Sequence, residues 1–296
     1  MAYSYSTLPG FFPDYMPDAT PEQALTPVCG DWPALRALFA DAQANCPPNV
    51  AIKLLLVARH CQGEHNAMDE LHIPKNHGFT LTEHRKEMGR IGRHHPLFDP
   101  GLSPKGQDQA KALAEAVKDQ TMKGMPVPMQ FVSPAKRAVE TWQATWGTPP
   151  AGAVGHSGPM VLEGLREKLH VHLCNARRPL SVLKADHARL ICPPQMAELD
   201  PWWQPGEDCR YERSDTQPPA EQMQRELRGR ETEEEMYSRA QTALGEIMRH
   251  SEGQAYVSIT SHSYFLKELF KVLGSPSREL REGEICPLVV RVETKA

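Results

Sequence analysis

The sharpest feature of the hydrophobic pattern is a short apolar run, Leu54-Leu55-Leu56-Val57-Ala58, which breaks abruptly into Arg59-His60-Cys61-Gln62-Gly63-Glu64-His65-Asn66. Such a run reads as a buried strand, central in a parallel sheet. Four further runs read as strands: Met129–Val132, Met160–Leu162, Ala255–Thr260 and Ile285–Val292, the last closing the sheet at its edge. Between them lie helical patterns. Asp31 is an N-cap with Pro33 in the first turn of a helix reaching about Ala44. Ser103 caps a second helix with Pro104 at its first position, and Ala110, Leu113, Ala114 and Val117 form its apolar face. Residues 220–250 read as one long amphipathic helix with a solvated Glu/Arg face, and a last helix runs to Val272.

The remaining segments lack a period. Residues 1–30 read as an extended arm packed on the surface, so that residues 1–50 form an N-terminal arm and helix within a single domain spanning 1–296. Residues 67–98 are polar, and six histidines lie in or just before them: His65, His72, His77, His84, His94 and His95. No helical His-x-x-x-His pair with a supporting carboxylate stands among them, so the segment reads as an insertion beside the site and no metal is expected. Residues 186–219 form a second insertion, in which Trp202 and Trp203 serve either as a lid or as anchors pinning a loop to the core.

Composition narrows the classes. A chain of 296 residues suits one α/β domain with insertions. A net charge of −4 provides no basic field for nucleic acid or an anionic membrane, so local Arg and His must hold any anionic substrate. No apolar run approaches the roughly 20 residues of a membrane span, and the start lacks a secretory pattern. The seven cysteines are scattered without a Cys-x-x-Cys, which points to a reducing cytosol and a cytoplasmic protein.

The chemistry-bearing residues gather where strands should end, as ligand sites in open α/β sheets do. Arg59 offers a planar fork for phosphate oxygens, and His60 a neutral nitrogen able to attack phosphorus. Arg59, His60 and Asn66, with Gln62-Gly63-Glu64-His65-Asn66, resemble the active-site motif of the histidine phosphatase superfamily, the phosphoglycerate-mutase-like enzymes of branch 1, in its fungal and plant form. Cys61 stands where that family usually has Gly, a residue with more backbone freedom. Asp99-Pro100-Gly101-Leu102-Ser103 through Ala110, Ser133-Pro134-Ala135-Lys136-Arg137-Ala138, Leu165-Arg166-Glu167 and Ser261-His262-Ser263 are similar to its later motifs, in the same order. In the last of them Ser263 replaces a usual Gly. Arg230-Glu231-Thr232 is similar to a further element of the same branch.

The resemblance implies a three-layer α/β/α sandwich with a mostly parallel central sheet and helices on both faces. It implies His60 as nucleophile, Glu167 as proton donor with Glu163 as fallback, and His262 as the second catalytic histidine. Arg59, Arg137, Asn66 and Gln62 would bind the phosphate, with the α-helix after Pro134 offering its N-terminus to the same anion. Arg177 and Arg178 are candidates for the non-reacting part of the substrate, or are simply solvated. No cofactor or metal is needed. The function implied is a phosphatase for a small phosphomonoester. The alternatives are a phosphoglycerate-mutase-type phosphotransferase and a non-catalytic binding protein on the same scaffold.

Overall fold

The computed structural model describes residues 2–72, 98–147, 158–169, 173–202 and 231–295. In chain order the elements are β1 (Ala2–Leu8), α1 (Pro21–Leu25), α2 (Trp32–Ala44), β2 (Val50–Arg59), α3 (Glu64–His72) and α4 (Pro104–Met122). Then come β3 (Met129–Val132), α5 (Lys136–Trp146), β4 (Met160–Val161), α6 (Leu180–Asp186), α7 (Glu233–His250), β5 (Tyr256–Ser261), α8 (Ser263–Val272) and β6 (Ile285–Lys295). The sheet order is β1-β6-β2-β5-β3-β4. β2, β5, β3 and β4 are parallel neighbours, while β6 runs antiparallel to both β2 and β1.

The alternation of side chains along β2 builds the three layers. Ile52, Leu54, Leu56 and Ala58 join Trp32, Leu35 and Phe39 of α2, Leu113 and Val117 of α4, and Val139 and Trp142 of α5 in one core. Leu55 and Val57 face the other way, into Ala240, Leu244 and Ile247 of α7 and Phe265 and Leu269 of α8. Each such Leu or Val, fully buried, contributes about 1.5–3 kcal/mol. Lys53 is the one charge in this run, and its Nζ donates to Ser251 O (2.7 Å) and Gln254 O (2.6 Å) past the end of α7. There a cation complements the helix dipole, although burial pulls its pKa down to about 8.

The caps follow the sequence. Asp31 accepts from Ala34 N, and Ser103 accepts from Gly106 N. The helix expected over 220–250 instead starts at Glu233, where Thr232 and Glu235 form a capping box. Two further expectations change. The N-terminal arm is not merely laid on the surface: residues 2–8 pair with β6 as the sheet's edge strand. Tyr3, Tyr5 and Thr7 alternate with small polar residues, a period of two that fits a half-buried edge. In consequence β6 is interior rather than a closing edge. Most of the two insertions, at 73–97 and 203–219, together with residues 220–230, lies outside the described residues.

Candidate active site

The four parallel strands end along one side of the sheet, and the predicted residues leave from those ends. β2 delivers Arg59 and His60, β3 leads through Ser133 to Arg137, β4 leads to Glu167, and β5 leads to His262. His60 and His262 are buried, with ring centroids 4.9 Å apart and ring planes at 62°.

Arg137 ties the two rings together. Its Nε donates to His60 Nε2 (3.2 Å), and its Nη2 approaches His262 Nδ1 (3.2 Å) and Asn175 Oδ1 (3.2 Å). Nη1 donates to Cys174 O (2.7 Å). A guanidinium has only donors and a carbonyl only acceptors, so these contacts assign both tautomers. His60 Nδ1 lies 2.7 Å from Cys61 O and therefore carries the proton, leaving a lone pair on Nε2. His262 Nδ1 accepts from Arg137, so its proton sits on Nε2, 2.8 Å from Ser133 Oγ. Burial, and then the Arg137 and Arg59 charges, hold His60 well below the ordinary histidine pKa. Burial and Arg137 do the same for His262. Both rings are thus neutral bases near pH 7 in a positive field.

Arg59 ends β2 with its guanidinium anchored on the far side. Nη1 donates to Leu280 O (2.9 Å) and Nη2 to Glu282 (2.5 Å), while the buried Nε has no hydrogen-bond partner among the described residues. The charge of Arg59 nevertheless acts on His60, His262 and Arg137.

Glu167 accepts from Tyr264 N and Phe265 N (both 3.3 Å) in the first turn of α8, and from Lys168 N (2.9 Å). This places it one step past His262, within electrostatic reach of Arg137. The fallback, Glu163, is committed elsewhere. It pairs with the wholly buried Arg177 (Nε, 2.5 Å) and with Arg166 (3.3 Å), which also grips Asp200 through two contacts of 2.7 and 2.6 Å. Arg177 donates further to the carbonyls of Arg178, Glu198, Ala197 and Leu199. It fastens the 197–200 loop, and the expectation that it contacts substrate is withdrawn. Arg178, about one-third exposed, has one long ion pair to Asp186 (3.9 Å). Removing one partner of a buried pair strands a charge, so Glu163→Ala is expected to cost about 3 kcal/mol. The measure is the urea midpoint, with an unchanged slope.

Gln62 and Asn66, the other two expected phosphate ligands, carry hydrogen bonds within the protein. The Gln62 amide donates to Glu70 (2.8 Å) and accepts from Ser103 Oγ (2.8 Å), while its backbone bonds to Gln109 Oε1 (2.8 Å). α4 lies so close that a Cβ on Gly106 would sit 1.9 Å from Gln62 O. Asn66 Oδ1 accepts from Gly63 N (3.1 Å), closing the turn into α3. The α5 N-terminus is also partly occupied. The buried Asp99, at φ 47°, takes the Lys136 N–H (2.8 Å) and Arg178 N–H (3.1 Å) on its two oxygens. Burial raises its pKa, against the pull of those bonds.

The residues replacing family glycines fit without strain. Among the described residues only Asp18 and Asp99 combine a side chain with positive φ, so neither Cys61 nor Ser263 needs glycine's freedom. The Cys61 thiol is buried and pushed up to about 12, which disqualifies it as a thiolate nucleophile. Four of the six clustered histidines lie outside the described residues, while the His65 ring lies tilted at 48° with its centroid 5.9 Å from that of His60. Trp202 covers the Arg166 guanidinium at 5.3 Å, consistent with a pinned loop, and Trp203 lies outside the described residues. Ser133 and Asn175, which no candidate role had been given, orient His262 and Arg137. Asn175 follows no local pattern that would have exposed it.

The carboxyl ends of the four parallel strands thus bring two buried histidines and a buried arginine together. Residues 55–151 match the family model described as "Histidine phosphatase superfamily (branch 1)". It is 27% identical over 262 residues to "Probable phosphoglycerate mutase PMU1" of Saccharomyces cerevisiae, covering 81% of this chain and 79% of that protein. It is 23% identical over 247 residues to a "Probable phosphoglycerate mutase" of Arthroderma benhamiae, covering 83% of this chain but only 65% of the relative. Among solved structures, the "ecdysone phosphate phosphatase" of Bombix mori superposes at TM-score 0.45 with 16% identity, over 79% of this chain and 87% of that one.

Proposed function

We propose that the protein hydrolyses a small phosphomonoester through a phosphohistidine on His60. The observation that carries this reading is the His60 ring. Its Nδ1 proton is held by the Cys61 carbonyl, and its Nε2 lone pair faces the Arg137 guanidinium. Arg137, Arg59 and His262 hold the phosphoryl oxygens, and an arriving dianion favours a proton on His262. His60 Nε2 attacks phosphorus in line and the ester P–O bond breaks, while Glu167 protonates the leaving alkoxide. Glu167, now a carboxylate, takes a proton from water. That water attacks phosphorus, breaks the P–N bond and frees His60 and phosphate. Catalysis of this kind is chiefly positioning and electrostatics.

The decisive experiment is phosphate release from a panel of sugar phosphates, phospho-amino acids and organic diphosphates. Orthovanadate or tungstate is expected to inhibit competitively without added metal, with EDTA changing nothing. The two arginines already supply the positive charge that a phosphoryl group needs. Activity lost in EDTA and restored by a divalent ion would refute this reading in favour of a metal on the histidine-rich segment. The relatives' names support a second reading, a phosphotransferase that returns the phosphoryl group to an acceptor hydroxyl. Interconversion of phosphoglycerates without net phosphate release would select it. No described helix is long and apolar enough to cross a membrane, and we place the protein's work in the cytoplasm on a small phosphorylated substrate.

A further inference from the structure

The turn Arg281-Glu282-Gly283-Glu284, just before β6, touches the site at two points. Glu282 grips Arg59 Nη2 at 2.5 Å, and Gly283 N donates to the carbonyl of His60 (3.2 Å). Gly283 takes φ 79°, and a Cβ there would press within 3.3 Å of both Cys61 Sγ and Gln109 Cβ. The turn is therefore seated directly against the nucleophile's backbone. It is also held from outside by the N-terminal segment. Tyr15 Oη donates to Glu284 (2.9 Å) and to Glu279 O (3.0 Å), and Asp18 forms an ion pair with Arg281. Glu284 in turn accepts from Arg281 N (2.8 Å).

Arg59 is thereby pinned by both terminal nitrogens, to Leu280 O and to Glu282. Its Nε–H is buried with no hydrogen-bond partner among the described residues. A buried N–H left without an acceptor is costly, so an oriented acceptor is worth having. We propose that Glu282 is a positioning residue that holds the Arg59 guanidinium so that its Nε–H, rather than its terminal fork, meets the phosphoryl group, with the segment Tyr15–Asp18 clasping the turn in place. The inference rests on the phosphoryl-binding reading of the site.

Two effects of Glu282 oppose each other, and the variants separate them. Its carboxylate repels an incoming oxyanion, and its hydrogen bond fixes the donor that meets it. Glu282→Gln removes the charge and keeps an oxygen that Nη2 can reach; Glu282→Ala removes both. If positioning dominates, Glu282→Ala weakens tungstate binding, measured by calorimetry on the full chain, roughly tenfold, the scale of one charge-assisted hydrogen bond. It lowers kcat/KM for p-nitrophenyl phosphate by a similar factor, while thermal unfolding stays within a few degrees. Glu282→Gln then stays within about threefold of the parent in both measures, a rescue that a loss of general stability would not give. Tungstate bound equally or more tightly by Glu282→Ala would overturn the inference and leave the site's reading intact, as would a Gln variant no better than the Ala one. Failure of the unaltered protein to bind tungstate or release phosphate would overturn both.

Discussion

His60→Ala is expected to abolish phosphate release, a loss of about 10³-fold or more, as removal of a covalent nucleophile does elsewhere. The cause is local. His60 Nε2 is the nitrogen freed by the Nδ1 contact to Cys61 O, and Arg137 keeps it turned into the site. Rapid-quench labelling should place the phosphate on His60 in the parent and nowhere in the variant. Cys61→Ala should remain active, because a thiol pushed up to about 12 carries almost no thiolate at pH 7. Label trapped on Cys61, or near-parental turnover by His60→Ala, would end the covalent reading. The substitution also has a signature in stability. His60 is depressed well below 6.5 in the folded chain, so the unfolded chain binds its proton first as pH falls. The parent should lose stability as pH drops below about 6.5, and the loss continues until the folded pKa is reached. His60→Ala removes one of the two neutral buried histidines responsible. Its urea midpoint should therefore fall less than the parent's between pH 7.5 and pH 5.5. For the same reason the acid limb of kcat/KM should lie well below pH 6.5.

What could be read in advance was local. The run Leu54–Ala58 announces a strand because its five residues are apolar on both faces, and a strand end followed by Arg-His places those side chains at the sheet's carboxyl edge. Asp31 and Ser103 announce helix starts because an oxygen two or three residues upstream of a free N–H is a local arrangement. The braces are different. Glu163 meets Arg177 and Arg166, Arg166 meets Asp200, and Glu282 meets Arg59 across most of the chain. No periodicity encodes which carboxylate takes which arginine, so the burial of Arg177 against Glu163 is not legible in advance. β1 is hard to read from the sequence for a related reason. Its Tyr-Ser-Tyr-Ser alternation is short, and its partner β6 lies at the other end of the sequence.

Glu167→Gln is expected to slow cleavage of alkyl phosphates by roughly 10² to 10⁴, the usual contribution of a positioned general acid. An alkoxide is a poor leaving group and needs the proton; a nitrophenolate leaves readily without it. Phosphorylation of the enzyme by p-nitrophenyl phosphate should therefore slow far less. The choice of Gln matters here. Glu167 accepts from the N–H groups of Tyr264, Phe265 and Lys168, and so also caps the start of α8 beside His262. An amide oxygen can keep those bonds, whereas Ala would release the helix start at a cost of about 1 kcal/mol and blur a chemical effect with a structural one. Steady-state turnover is a poor readout, because the same carboxylate activates water in the second step and both substrates would then fall together. The pre-steady-state burst reports the first step alone. A p-nitrophenolate burst that survives in Glu167→Gln while the alkyl phosphate burst disappears is the expected pair of results. Equal slowing of both bursts would remove Glu167 from the acid's role. Glu163, fixed between Arg166 and Arg177, is not a ready replacement.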